Sequence, residues 1–330
     1  MAAIVLALAL AAIPLRLAGA DLLGAYRQMA VASLGSWFAL SETLTRATPL
    51  ILTGLAVAVA FRARLWNIGA EGQLYLGAVA AVAVGSGLVQ APPPVLAILV
   101  LAAGAAAGAL LMLGPTWLKL RLGVDEVVTT LLLNFVALLF VGMMLEGPMQ
   151  DPMSLGWPQS APILADAALP RLVAKTRVHA GLIVALAAAA LVWFYLERTV
   201  WGFETQAVGS NARAAAYAGM PVGRVLLRAG LISGALAGLA GAGEVAGLKG
   251  YLTQDLSPGF GYTGIVVAML AQLRPLAVVP AAIFVAAIFV GADSMSRTTG
   301  VPSYIADLVV ALSLLTMLLA GLVTRYRLRR

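Results

Sequence analysis

The sequence predicts an all-α polytopic membrane protein of about ten transmembrane helices, with both termini on the cytoplasmic side. Three observations carry this. Of the 330 residues, 62% are hydrophobic and 11% charged, against about 25% charged in an ordinary globular domain, so lipid must solvate most of the surface. Apolar blocks long enough for a hydrocarbon layer of about 30 Å recur with short polar breaks. Basic residues favour alternate breaks and close the chain as Arg325, Arg327, Arg329 and Arg330, the bias expected of cytoplasmic loops.

In order, the predicted spans are 2–18, 47–61, 68–90, 94–117, 127–146, 179–197, 226–248, 260–273, 276–292 and 303–323. The first resembles a signal peptide, with Ala18-Gly19-Ala20 passing for a cleavage site. It lacks a basic start and precedes many further spans, so it reads as a transmembrane helix. Spans 47–61 and 260–273 are short for a crossing at 1.5 Å per residue. Both adjoin glycine-rich polar sequence, where broken or partial helices are expected. The spans of 1–150 and of 179–330 hint at two related five-helix halves within a single domain, 1–330. Lys and Arg divide thirteen inside to eight outside, which puts 147–178 outside the cell and 198–228 in the cytoplasm.

Composition also excludes function classes. Cys is absent, so disulfide, thiolate and iron–sulfur chemistry are ruled out, and the single histidine, His179, has no partner ligand for a metal site. The net charge of +7 belongs to residues bordering the spans, where it sets orientation and meets anionic lipid rather than nucleic acid. There is no GxxxxGK[ST] phosphate loop, HExxH or GxSxG elbow. The chain reads as a conduit, not an engine.

The segment Arg198–Arg228 is a polar, basic interruption holding a short helix of its own. Asn211 suits a helix cap, Ala212 to Ala218 form helix readily, Gly219 suits a left-handed stop and Pro221 prevents continuation. Ser210, Asn211, Arg213, Ala214, Ala215, Tyr217 and Gly219 thus form a candidate handle for a soluble partner. A second motif is Asn67-Ile-Gly-Ala-Glu-Gly-Gln73. As a helix it places Asn67 and Glu71 on one face and Gly69, Gln73 and Gly77 on another. Glu71 faces either the pathway or a partner such as Arg62 or Arg64. A third is Leu256–Gly264, LSPGFGYTG. Phe260 and Tyr262 can stack on a flat ligand, and Ser257 and Thr263 can bond hydroxyls; the alternative is an interfacial aromatic belt with a turn. Among isolated ionisable groups, Glu244 is the best pathway candidate, ahead of Asp293 and Asp307. Asn134 reads as helix–helix glue.

Several stretches together carry a resemblance: WNIGAEGQLYLGA at 66–78, DEVVTTLLLNF at 125–135, EGPMQDP and PQS within 146–160, WGFETQAVGSNARAAAYAG at 201–219, and GFGYTGIVVAML at 259–270. The chain resembles permease subunits of bacterial ABC importers in the branched-chain amino acid/ribose permease family, closest to the nucleoside and simple-sugar subgroup. That resemblance implies a bacterial inner-membrane permease fed by an extracytoplasmic binding lipoprotein, paired with a second permease and driven by two cytoplasmic ATPases. ATP and Mg would be used by those partners, with no cofactor bound by this chain. The family's coupling helix falls on Ser210–Gly219. Its pore-lining expectation falls on Asn67, Glu71, Gln73 and the Gly259–Gly264 run. Gln272-Leu-Arg-Pro275 departs from the glycine-rich turn of relatives. Nucleosides are the expected cargo, simple sugars the alternative, and a proton-coupled transporter using Glu71 or Glu244 a competing class.

Overall fold

The structure, a computed structural model, describes residues 21–299 continuously and scattered positions within 9–16 and 302–319. The predicted spans at 2–18 and 303–323 and the closing basic cluster fall largely outside the described residues. Eleven α-helices are described in full: α1 (Leu22–Leu34), α2 (Trp37–Arg62), α3 (Ala70–Ala83), α4 (Pro93–Leu122), α5 (Glu126–Leu145), α6 (Gly181–Arg198), α7 (Val200–Ser210), α8 (Ala212–Tyr217), α9 (Val222–Glu244), α10 (Phe260–Leu270) and α11 (Pro275–Thr299). Two of them end in a π turn, α3 over Val84–Leu88 and α9 over Val245–Lys249. Among the described residues six helices are long and apolar enough to cross a membrane: α2, α4, α5, α6, α9 with its π turn, and α11.

Helix α2 corrects the expectation of a short second span. It begins ten residues before 47, at Trp37, with the Ser36 hydroxyl accepting from the Ala39 amide, and runs 26 residues through Pro49. The small polar residues of its N-terminal half sit inside the protein: Ser41, Thr43, Thr45 and Thr48 are all buried. Thr43 donates to the Ser33 carbonyl, and Thr45, Thr48 and Thr53 bond carbonyls four residues back, so each hydroxyl is satisfied without water. Helix α1, for which no span was expected, starts at the Asp21 cap and packs along α11 and α2. Helix α10 is short, as expected, and α4 is the longest, closed by Gly123 in the left-handed conformation at φ 68°.

Helices α3, α4 and α9 form the core through bare backbone. On α9, Gly230, Gly234 and Gly238 recur every fourth residue; Gly104 and Gly108 on α4 have the same spacing. A Cβ on Gly238 would overlap the Gly104 carbonyl, one on Gly108 the Gly234 carbonyl, and one on Gly77 of α3 the Gly238 carbonyl. Lipid offers no hydrophobic drive to helix pairing, so such close approach supplies dispersion contact instead.

Ion pairs mark the two ends of the bundle. Arg46 bonds Asp293 at 2.6 Å and Arg177 reaches Glu42 at 3.5 Å. Beyond the other end, Arg62 pairs with Glu197 and Arg228 with Glu204, each at 2.8 Å, and Lys119 pairs with Glu126. Arg46 and Arg62 lie on the same helix, about 24 Å apart at 1.5 Å per residue.

Gly238→Val is expected to force α4 and α9 apart and lower the melting temperature of the detergent-solubilised protein, at a cost of about 3 kcal/mol or more. Gly243 has open space where a Cβ would stand. Gly243→Ala is expected to leave the melting temperature unchanged or raise it slightly, by about 0.4–1 kcal/mol of stability.

Candidate functional site

The segment after α6 folds as two helices, of which the sequence foretold the second. Thr199 caps α7 by accepting from the Gly202 amide, and the α7 carbonyl ladder closes at Asn211. Asn211 then caps α8, its Oδ1 accepting from the Arg213 and Ala214 amides at 3.1 and 3.0 Å. Gly219 follows at φ 83°, a left-handed turn that a side chain resists. Ser210, Asn211, Arg213, Ala214, Tyr217 and Gly219 are exposed, Tyr217 almost completely at 97%, while Ala215 is buried and seats the helix.

Two contacts tie this projection to the bundle. Gly209 lies against the Arg62 carbonyl at the end of α2, where a Cβ would not fit. The Arg228 guanidinium, on α9, donates to the Tyr195 hydroxyl at 3.1 Å, to Glu204 at 2.8 Å and to the Trp201 carbonyl at 3.2 Å, and stacks 5.3 Å from the Trp201 ring centroid. Arg62 also donates to the Leu273 carbonyl, inside a turn where Gln272 and Leu273 both take positive φ. This turn is the stretch for which the resemblance noted above implied a glycine-rich sequence.

The second and third motifs meet in space. Helix α3 begins only at Ala70, so Asn67 does not share a helical face with Glu71. Asn67 instead makes a reciprocal amide pair with Gln73 at 2.9 and 3.0 Å, with its Nδ2 also donating to Ser233 of α9. Both are fully enclosed and hold the loop before α3 in place; neither lines the cavity described below. Glu71 contacts neither Arg62 nor Arg64. Its carboxylate accepts the Gly261 amide at 2.6 Å, at the open N-terminus of α10. A Cβ on Gly261 would strike the Glu71 backbone. Ser257 caps the same helix, accepting from Gly259 and Phe260. The Tyr75 hydroxyl donates to the Gln254 carbonyl at 2.6 Å. Asn134 is interhelical glue as expected, binding the Gly72 amide, the Ile68 carbonyl and the Tyr262 hydroxyl. Tyr262 therefore points away from Phe260, toward α5.

Phe260 and Glu244 line a cavity of about 680 Å³ between α1, α2, the π turn after α9, the start of α10 and α11. Its charges balance, with Glu42, Glu244, Asp255 and Asp293 facing Arg46, Arg177, Lys249 and Arg297. Glu244 and Asp293 are legible in the sequence as isolated acids. Arg46, Arg177 and Lys249 read there only as topology markers, although Arg46, near Glu42 in a threonine-rich approach to a span, carries a signal for this cavity.

The 147–178 loop lies at this cavity's end of the bundle, since it binds the far end of α9 from α8. Leu164 donates to the Gly85 carbonyl, Leu169 to Ala246 and Ile163 to Gly250, at 2.7–2.8 Å. These are carbonyls of the two π turns or just beyond, left without helical partners. His179 closes the loop: its Nδ1 accepts the Gly181 amide at 3.1 Å, and its ring lies on Gly247. Burial lowers its pKa to about 4 from 6.5. Because the unfolded chain takes up this proton first, the His179 contribution is complete above pH 6.5 and is lost as pH falls toward 4. Lowering pH from about 7 to about 5 is thus expected to destabilise the wild type more than His179→Gln, read as the change in melting temperature.

The model of the branched-chain amino acid transport system / permease component family matches residues 39–321. The chain is 39% identical to a glucose ABC transporter permease protein of Haloferax volcanii, the match covering 97% of this chain and 87% of that one. It is 38% identical to a guanosine ABC transporter permease protein of Bacillus subtilis, covering 95% and 90%. A nucleoside ABC transporter permease protein of Lactococcus lactis is 32% identical, covering 94% and 87%. Each of these organisms carries a second, more distant relative at 25–28% identity.

Proposed function

The chain belongs to the branched-chain amino acid transport system / permease component family, as a multi-pass ABC importer permease of the cytoplasmic membrane; we propose that its cargo is nucleosides and that α8 is where partner ATPases push. Family membership, together with relatives named for guanosine and for nucleosides, carries the cargo assignment. The balanced charge of the cavity supports it, since a neutral solute needs no net counter-charge. The relative named for glucose favours a simple sugar as the second reading.

The exposure of α8 and its double anchorage support its role. A helix capped at Asn211 and stopped at Gly219 is stiff enough to transmit a push, and Arg228 and Gly209 pass it to α9 and α2. Those two helices also run to the cavity, so a rigid displacement at one end can alternate access at the other. On this reading 198–228 and both termini are cytoplasmic, 147–178 faces a substrate-binding lipoprotein, and ATP and Mg act in the partner subunits. The permease pair is this chain with a paralogue, as the second relative in each of three organisms suggests. A count of about ten spans follows if α3 with its π turn, α10 and the two terminal spans are also membrane-embedded.

Arg213→Glu and Gly219→Pro are expected to insert normally and to cut labelled guanosine uptake about 5- to 150-fold at matched expression, the range of a typical coupling free energy. Proline cannot adopt the φ of 83° found at Gly219. Uptake at wild-type levels in both variants would remove α8 from the coupling path. Uptake that survives ATP depletion but stops when the proton gradient collapses would remove the ABC assignment itself.

A further inference from the structure

One buried carboxylate of the cavity has no hydrogen-bond donor to either oxygen among the described residues. Glu244 is 3% exposed and lines the cavity at the end of α9, yet no described residue donates a hydrogen bond to it. Buried carboxylates are ordinarily paired or hydrogen-bonded, because desolvating a charge alone is costly. The basic groups nearest in effect, Arg46 and Lys249, act on it only through space. Arg46 is already committed to Asp293 at 2.6 Å and stacks on Phe289, 5.6 Å from the ring centroid. Two other atoms of cavity-lining residues, Glu42 Oε1 and Arg46 Nε, are fully buried without a hydrogen-bond partner among the described residues. Phe260, 4% exposed, lines the same cavity and offers an apolar ring. The volume, about 680 Å³, falls within the roughly 300–1,000 Å³ of small-molecule sites.

We infer that Glu244 is the group that reads the cargo, its two carboxylate oxygens accepting from two adjacent N–H or O–H donors of a neutral solute whose flat or apolar face rests on Phe260. This rests on the nucleoside-importer reading above and names the chemistry of its cavity. A carboxylate presents its oxygens side by side, which matches paired donors and gains from charge-assisted bonds. Two kinds of neutral solute carry that pair. The Watson–Crick edge of guanine has N1–H beside its 2-amino group, and a ribose or hexose has a vicinal diol. An adenine edge offers a donor beside an acceptor, and the acceptor would face a carboxylate oxygen. A zwitterionic amino acid would need a fixed cation for its carboxylate as well as Glu244 for its ammonium.

The test pairs analogues with variants in the complete importer, so that the contribution of the unchanged binding protein cancels. Initial uptake of labelled guanosine, inosine, 2′-deoxyguanosine, 3′-deoxyguanosine, glucose and leucine is measured in wild type and in Glu244→Gln, with Glu244→Ala giving the same comparison should the amide variant fail to insert. Removal of one member of the donor pair is expected to cost the wild type about tenfold, the scale of one charge-assisted hydrogen bond, and to cost the variant little. A penalty that vanishes for inosine assigns Glu244 to the base edge; one that vanishes for the deoxynucleosides, or a selective loss of glucose uptake, assigns it to the diol. Equal analogue penalties in wild type and variant, with guanosine uptake retained, would overturn the inference while leaving the nucleoside importer standing. Leucine uptake without nucleoside or glucose uptake would overturn both.

Discussion

The contact on which this molecule depends is backbone against backbone, where α9 lies on α3 and α4 without side chains between them. Gly238 meets Gly104 on one side and Gly77 on the other, and Gly241 lies on the Leu74 carbonyl. In a bilayer the hydrophobic effect does not distinguish a lipid tail from a neighbouring leucine, so packing density must hold helices together. Three helices brought this close leave no slack. A displacement of α9 must therefore carry α3 and α4 with it or slide along the glycine ridge.

That constraint explains the placing of polar groups around the core. Asn67, Gln73 and Ser233 close a buried network across α3 and α9, and Glu71 draws the start of α10 against the start of α3. Each of these groups is buried and hydrogen-bonded to the protein. Their work is to fix a short helix that begins within the bundle, where its first amides would otherwise lack acceptors. The π turns at the ends of α3 and α9 raise the same difficulty for carbonyls, and the 147–178 loop answers it from outside.

Arg228 and Gly209 anchor the segment that carries the projecting helix α8. Arg228 gathers Tyr195, Trp201 and Glu204, so α6, α7 and α9 meet at one guanidinium whose planar fork resists rotation. Gly209 sets α7 directly on the last carbonyls of α2. Both helices reach the cavity, α2 through Glu42 and Arg46 and α9 through Glu244. The loop that carries α8 is thus anchored on the same two helices that bring Glu42, Arg46 and Glu244 to the cavity.

The sequence by itself determined whatever is local or compositional. The cap at Asn211, the stop at Gly219, the shortness of α10 and the isolation of Glu244 were legible because each depends on a few adjacent residues or on what lipid tolerates. Helix α2 was misjudged because hydropathy assumes that a span faces lipid, whereas Thr43, Thr45 and Thr48 face protein. Asn67 was misplaced because equal spacing on a helix presumes that the helix has begun, and α3 starts three residues later. Only the tertiary structure decided that Glu71 serves α10, that Tyr262 turns toward Asn134, and that Arg46, Asp293 and Glu244 share one cavity. Glu71 and Gly261, Asn134 and Tyr262, and Arg46 and Asp293 stand about 130 to 250 positions apart, and such pairings are fixed by which glycine faces let helices touch, a property of assembled surfaces that no single segment carries.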